Sequence, residues 1–242
     1  MADLKFLLLQ ARDADDPMRD HERMCFVERG ALKREQIVPY DLLGGPPGSA
    51  HWRQSDGLLV GGAGDFYISK RNLPHCADVL DFFGEVVAAG HPMFASCFGY
   101  HCLVAALGGE VVYDGANIEI GTYRLTLTED GMNDPLFGTL PRSFQAQEGH
   151  KDRAGRQPDG VLNLASSERV PMQAFRIPEK PIWATQFHPE LSRESNLHRF
   201  RHYMEGYGRA LSPEELQAAF DSFRESPEAN GLFQAFLRLV FG

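Results

Sequence analysis

Thiols are scarce in this chain of 242 residues, and long apolar runs are absent. The four cysteines, Cys25, Cys76, Cys97 and Cys102, lack the paired spacing of a zinc ribbon and are too few for a disulfide scaffold of this length. No stretch approaches the roughly 20 apolar residues that a bilayer demands, and nothing near Met1 reads as a cleavable signal. The expectation is a protein of the reducing cytoplasm with no membrane partner. Positive charge is also in deficit. Twenty-four Lys and Arg against 33 Asp and Glu give a formal net charge of −9, which disfavours nucleic acid as a partner. The glycines at Gly61–Gly64 are not followed by Gly-Lys-Ser/Thr, so they do not make a phosphate loop. There is no internal repeat. With 43% hydrophobic and 24% charged residues, the chain suits one large compact domain and is too apolar for wholesale disorder.

The first half alternates short apolar runs with helical stretches. Lys5–Gln10, Gln36–Leu42, Asp56–Val60 and Pro92–Ser96 read as strands, the apolar ones among them buried on both faces; Asp13–Gly30 reads as a helical connection with the helix starting near Pro17, and Pro74–Gly90 as a helix. This alternation predicts an α/β fold: a doubly wound, mostly parallel central sheet with helices on both faces. After Gly109 the pattern changes. Val111–Tyr113, Glu119–Thr128, Ser143–Glu148, Val161–Ala165, Met172–Ile177 and Ile182–Phe187 read as a small antiparallel section, a meander laid against the first half. Arg193–Tyr207, Pro213–Glu225 and Ala229–Val240 read as C-terminal helices, the last with Leu232, Phe233, Phe236, Leu237 and Val240 on one face.

Two segments carry chemistry. Ala95-Ser-Cys97-Phe-Gly99-Tyr-His101 places a cysteine between a predicted strand and a helix, the setting of a nucleophile elbow. The helix N-terminus supplies amide donors there and favours a thiolate. Taken alone, Cys97 reads more readily as a buried small hydrophobe, the commonest fate of a free cysteine. Further on, Thr185-Gln186-Phe187-His188-Pro189-Glu190 ends a predicted strand at a histidine with a glutamate two positions later. His188 is placed to move a thiol proton and Glu190 to hold the imidazole tautomer, although a capped strand end gives the same pattern.

Together these segments resemble the class I glutamine amidotransferase family, whose signatures are a cysteine elbow of the form G-x-C-x-G-x-Q and a later F-H-P-E. Asp56-Gly-Leu-Leu-Val-Gly-Gly62-Ala-Gly64 resembles the family's oxyanion loop and precedes the cysteine, as the family order requires. The resemblance covers about residues 3–207. It implies a catalytic triad of Cys97, His188 and Glu190, an oxyanion hole near Gly62 and Phe98, and hydrolysis of glutamine or a γ-glutamyl compound through a thioester. No cofactor is implied.

The sequence departs from the family pattern at four places. Ala95 stands for the first elbow glycine, and His101 stands where the family carries a substrate-holding Gln. Ala63-Gly64-Asp65 replaces the usual Pro-Gly, which puts Asp65 and Tyr67 toward the substrate, and Gln147–Asp152 occupies a stretch that in relatives reads Ser-His-x-Asp, making His150 a further substrate-binding candidate. Residues 1–208 are read as the family domain and 209–242 as a helical extension packed on it, with a dimer contact as the competing role for the extension. His198 and His202 lie four apart on a predicted helix without a third ligand, so no metal is assigned. Lys151, Arg153 and Arg156 read as a solvated basic loop, and Cys102 as helix packing. Three functions compete: a glutaminase module feeding a separate ammonia-accepting synthase, a stand-alone γ-glutamyl peptidase, and a non-catalytic binding protein.

Overall fold

The computed structural model describes residues 4–208 and 211–242. In chain order its strands are β1 (Phe6–Ala11), β2 (Ile37–Asp41), β3 (Gly57–Ala63), β4 (Met93–Ser96), β5 (Glu110–Tyr113), β6 (Glu119–Leu127), β7 (Ser143–His150), β8 (Asp152–Arg156), β9 (Leu162–Ser166), β10 (Ala174–Arg176) and β11 (Ile182–Thr185). Nine of them form one sheet in the order β2-β1-β3-β4-β11-β10-β9-β6-β7. The pairs from β2 to β11 are parallel. Those from β11 to β7 are antiparallel.

The expected doubly wound architecture follows from side-chain alternation in the parallel strands. Leu7, Leu9, Leu58, Val60, Met93 and Ala95 point to one face, where they meet the helices Cys76–Ala89 and Phe98–Ala106. Phe6, Leu8, Leu59 and Phe94 point to the other, against the helices Met18–Gly30 and Leu232–Phe241.

The structure corrects several sequence expectations. Apart from β5, the expected antiparallel strands are not laid against the first half; they continue its sheet edge to edge, because β11 pairs in parallel with β4. The helix of the Asp13–Gly30 connection starts beside Pro17 as expected, at Met18: Asp13–Asp16 closes a turn before it and Asp16 Oδ1 accepts from the Met18 N–H at 2.8 Å. The basic stretch read as a solvated loop is largely strand β8, which pairs with β5 in a separate two-stranded sheet. There Arg153 pairs with Asp114 at 2.6 Å and Arg156 donates to the Gly108 carbonyl at 2.7 Å.

Residues 211–242 are part of the core. Phe233 packs edge-on to Phe26 at 5.2 Å and meets Phe94 at 5.4 Å; Phe236 meets Phe94 at 5.2 Å and Trp183 at 5.8 Å. Phe233 and Phe236 are therefore engaged within the chain and are not available to a dimer contact. The helix expected from Ala229 is divided at Gly231 into Pro227–Asn230 and Leu232–Phe241. Of the expected junction, residues 209 and 210 lie outside the described residues. Emptying the Phe233 site leaves a large cavity over β4, so Phe233→Ala is expected to cost about 3–5 kcal/mol in urea denaturation. Cutting the chain before Leu211 is expected to give aggregation; a monodisperse soluble product in size-exclusion chromatography would contradict this core role.

Candidate active site

The turn out of β4 is made by Cys97 itself. Its φ of 48° and ψ of −96° lie outside the regions that L-residues favour, a strain that the surrounding structure holds in place. The Cys97 N–H donates to the Thr185 carbonyl of β11 at 2.8 Å, and the Cys97 carbonyl accepts from the His101 N–H at 3.0 Å, opening the helix Phe98–Ala106. Gly99 is needed for this approach, because a Cβ there would sit 2.6 Å from Val60 Cβ. The sequence expectation of an elbow is met in geometry.

His188 follows β11. Its N–H donates to the Gln147 carbonyl at 2.9 Å, and its Nδ1 lies 2.6 Å from Glu190 Oε1. A carboxylate accepts, so Nδ1 carries the proton and Nε2 keeps its lone pair. Both side chains are buried. Asn230 fixes this segment from the C-terminal region, donating to the Pro189 carbonyl at 2.9 Å and to the Leu191 carbonyl at 2.7 Å.

Cys97, Phe98, His101, Gly62, Asp65, Tyr67, His150 and His188 all line one pocket. Glu190 stands behind His188. Asp65 is exposed on the rim and Tyr67 is half-buried, its hydroxyl accepting from Lys151 Nζ at 3.4 Å. His101 Nε2 lies 2.9 Å from Gln186 Oε1. His198 and His202 do not converge: His198 stacks near His21 and His202 faces Asp16 at 3.4 Å. Cys102 is fully buried in the core, as its packing role requires.

One expected donor points elsewhere. The Gly62 N–H donates to Glu22 Oε1 at 3.0 Å, beneath the loop. Glu22 is held there by Arg12 at 3.1 Å and by Gln10 Nε2 at 2.9 Å. Arg12 also donates to the Tyr203 hydroxyl. Arg199 completes the group: it lies 3.6 Å from Glu22 Oε1 and 3.9 Å from Glu190 Oε1, and it lines the pocket. These residues escaped sequence reasoning. The available signal was Glu22 standing on the buried stripe Met18, Glu22, Cys25 and Phe26, a carboxylate at an apolar position.

Burial sets the proton affinities. It pushes the Cys97 thiol well above its ordinary value, while Arg199 and Arg12 pull the other way. It lowers His188, against the raising influence of Glu190. Burial favours the neutral acid at Glu190, but His188, by charge and hydrogen bond, together with Arg199, holds the carboxyl below its usual range. His101 is lowered by burial to about 4. Burial thus favours the neutral forms of both Cys97 and His188.

The model of the class-I glutamine amidotransferase family matches residues 49–202, most of the chain, and spans the Gly61–Gly64 loop, the elbow and the His188 segment. The chain belongs to the class-I glutamine amidotransferase family. Its curated relatives include a glutamine-hydrolysing GMP synthase subunit of Methanocaldococcus jannaschii, 30% identical over 58% of this chain and 67% of that protein. The corresponding subunit of Pyrococcus abyssi is 32% identical over 51% of this chain and 62% of that protein. The match to the glutamine-hydrolysing GMP synthase of Parafrankia sp. spans 29% of that protein's length. Among solved structures, a glutamine amidotransferase of Thermotoga maritima superposes with a TM-score of 0.73 at 18% identity and covers 99% of both chains, so the fold extends through the C-terminal helices. A GMP synthase subunit of Thermoplasma acidophilum gives 0.60 at 24% identity over 81% of this chain and 90% of that one. The chain spans less than two thirds of the length of most of the curated relatives it matches.

Two measurements follow from the buried, neutral groups. Iodoacetamide labelling of Cys97 is expected to be slow near neutral pH and still rising above about pH 9; a labelling midpoint below about 7 would reveal a preformed thiolate. For His101 the folded state resists protonation that the unfolded state accepts below about 6.5. Stability is therefore present above that pH and lost as pH falls from about 6.5 toward about 4. His101→Gln is expected to flatten this fall in urea midpoints.

Proposed function

We propose that Cys97, His188 and Glu190 form a nucleophilic triad that hydrolyses the γ-amide of glutamine or a γ-glutamyl compound. The observation that carries this reading is a cysteine on a strained elbow in the same pocket as a histidine whose far nitrogen is hydrogen-bonded to a buried glutamate. With Nδ1–H held by Glu190, the Nε2 lone pair of His188 takes the Cys97 thiol proton as sulfur attacks the γ-carbonyl. Carbon–sulfur bond formation places negative charge on the carbonyl oxygen. His188 then returns the proton to the departing nitrogen, the carbon–nitrogen bond breaks, and ammonia or an amine leaves a γ-glutamyl thioester. Water, deprotonated by His188, opens the thioester to give glutamate and the free thiol.

The oxyanion is met by the Phe98 N–H, in the first turn of the helix, where backbone donors have no partner within the helix. Gly62 joins only when its peptide turns away from Glu22. Loss of one such donor typically costs about 10²–10³ in rate, so the resting loop favours a module with low turnover of its own. That observation supports a glutaminase feeding a separate ammonia-accepting synthase over a stand-alone peptidase. On this reading His101, Asp65, Tyr67 and His150 form the pocket wall around the amino-acid end of the substrate.

The test measures ammonia and glutamate from glutamine beside amine release from γ-glutamyl peptides, with Cys97→Ala as the blank. Slow turnover of glutamine alone is expected, and Glu190→Gln should lower it by about 10²–10⁴-fold through loss of the required tautomer. Brisk turnover of peptides but not glutamine would establish the peptidase instead. Full activity in Cys97→Ala would sink the triad.

A further inference from the structure

Behind the pocket wall, three side chains aim acceptor atoms at one another. Glu119 of β6 stands directly opposite His150 of β7 in the ladder, and Glu148 lies two residues before His150 on the same face of β7. Glu119 Oε2 lies 3.1 Å from His150 Nε2, and Glu148 Oε2 lies 3.5 Å from it. The three ligand-type atoms all fall within 4.8 Å of one another, and all three residues are buried.

The hydrogen bonding around the cluster leaves it incomplete. His150 Nδ1 lies 3.0 Å from the Asp152 carbonyl, which can only accept, so Nδ1 carries a proton. In the neutral ring, Nε2 is then a lone pair facing two carboxylates. Glu119 is served by Ser167 Oγ at 2.7 Å and by Gln173 Nε2 at 2.5 Å. Glu148 is served by no hydrogen bond at either oxygen although it is fully buried, and Gln173 Oε1 is a second buried acceptor without a partner. Were both carboxyls ionised, a protonated His150 would balance only one of them.

We propose that Glu119, Glu148 and His150 form a binding site for a divalent transition-metal cation of the zinc class. A dication neutralises the two carboxylates and gives Glu148 the partner it lacks. One imidazole with two carboxylates suits this class, and metal-binding histidines commonly tie the other ring nitrogen to a carbonyl, as His150 does. The separations of 3.1 and 3.5 Å match the edge of a tetrahedron with metal–ligand bonds of about 2.0–2.1 Å, which is about 3.3 Å. The site pins β6 to β7 where β7 delivers His150 to the pocket, so the cation stiffens the wall that holds substrate and takes no part in bond breaking.

The test uses Zn²⁺ alone on the full chain carrying Cys97→Ala, because a thiol beside an imidazole is itself a zinc ligand. After chelator treatment and dialysis, about one equivalent of Zn²⁺ is expected to bind, read by elemental analysis, and to raise the melting temperature. Adding Glu148→Gln is expected to weaken binding by at least about tenfold and to remove the melting shift. Glu148 makes no hydrogen bond through its carboxylate, so this variant keeps the fold, which circular dichroism checks. Adding His198→Ala instead is expected to leave the stoichiometry unchanged. Binding below about a tenth of an equivalent with ~100 μM Zn²⁺ present, or equal binding with and without Glu148→Gln, would overturn the site and assign the cluster to shared protons.

Discussion

At Cys97 the chain passes from strand to helix within one residue, and it does so only through a backbone conformation that an L-residue resists. That conformation survives because both sides of the turn are clamped. The Cys97 amide is tied to β11 and its carbonyl to the first turn of the following helix, while Gly99 lets that helix lie against Val60. The two-sided core exists in part to supply this clamp. Helices on one face press on Val60 and Ala95, and Phe233 and Phe236 on the other press on Phe94, three residues before the thiol.

Charge is handled by enclosure. Arg12, Glu22, Arg199, Glu190 and His188 share a space from which water is largely excluded, so each charge depends on its neighbours for solvation. The Gly62 amide is drawn into the same group. The pocket thus combines burial that favours a neutral thiol and a neutral imidazole with a pair of guanidinium groups that favour negative charge on sulfur.

Much of this was legible in the sequence, for physical reasons. Strands buried on both faces must be nearly pure apolar runs, which exposed β1, β3 and β4. A one-residue elbow requires small neighbours, which exposed Ala95 and Gly99 around Cys97. The His-x-Glu spacing is local, so it survives reading in one dimension. What stayed hidden depends on partners distant in sequence. Charged side chains masked β8, because Arg153 and Arg156 find acceptors on Asp114 and Gly108. Arg12 and Glu22 meet under Gly62 only through folding. Asn230, more than 30 residues from any family motif, gave no sign that it holds the backbone on both sides of Glu190. The opposition of Glu119 to His150 is a property of ladder register alone.

The adjacency of β4 and β11 carries a mechanical consequence. Ser96 is paired with Thr185, so the thiol leaves its strand one residue past that rung and the imidazole leaves the neighbouring strand three residues past it. Two strands that share a ladder are tied to each other by direct backbone hydrogen bonds. Cys97 and His188 therefore ride the same local displacement, like two marks on one ruler. The nine-stranded sheet can flex as a whole while the spacing between these two residues stays nearly constant.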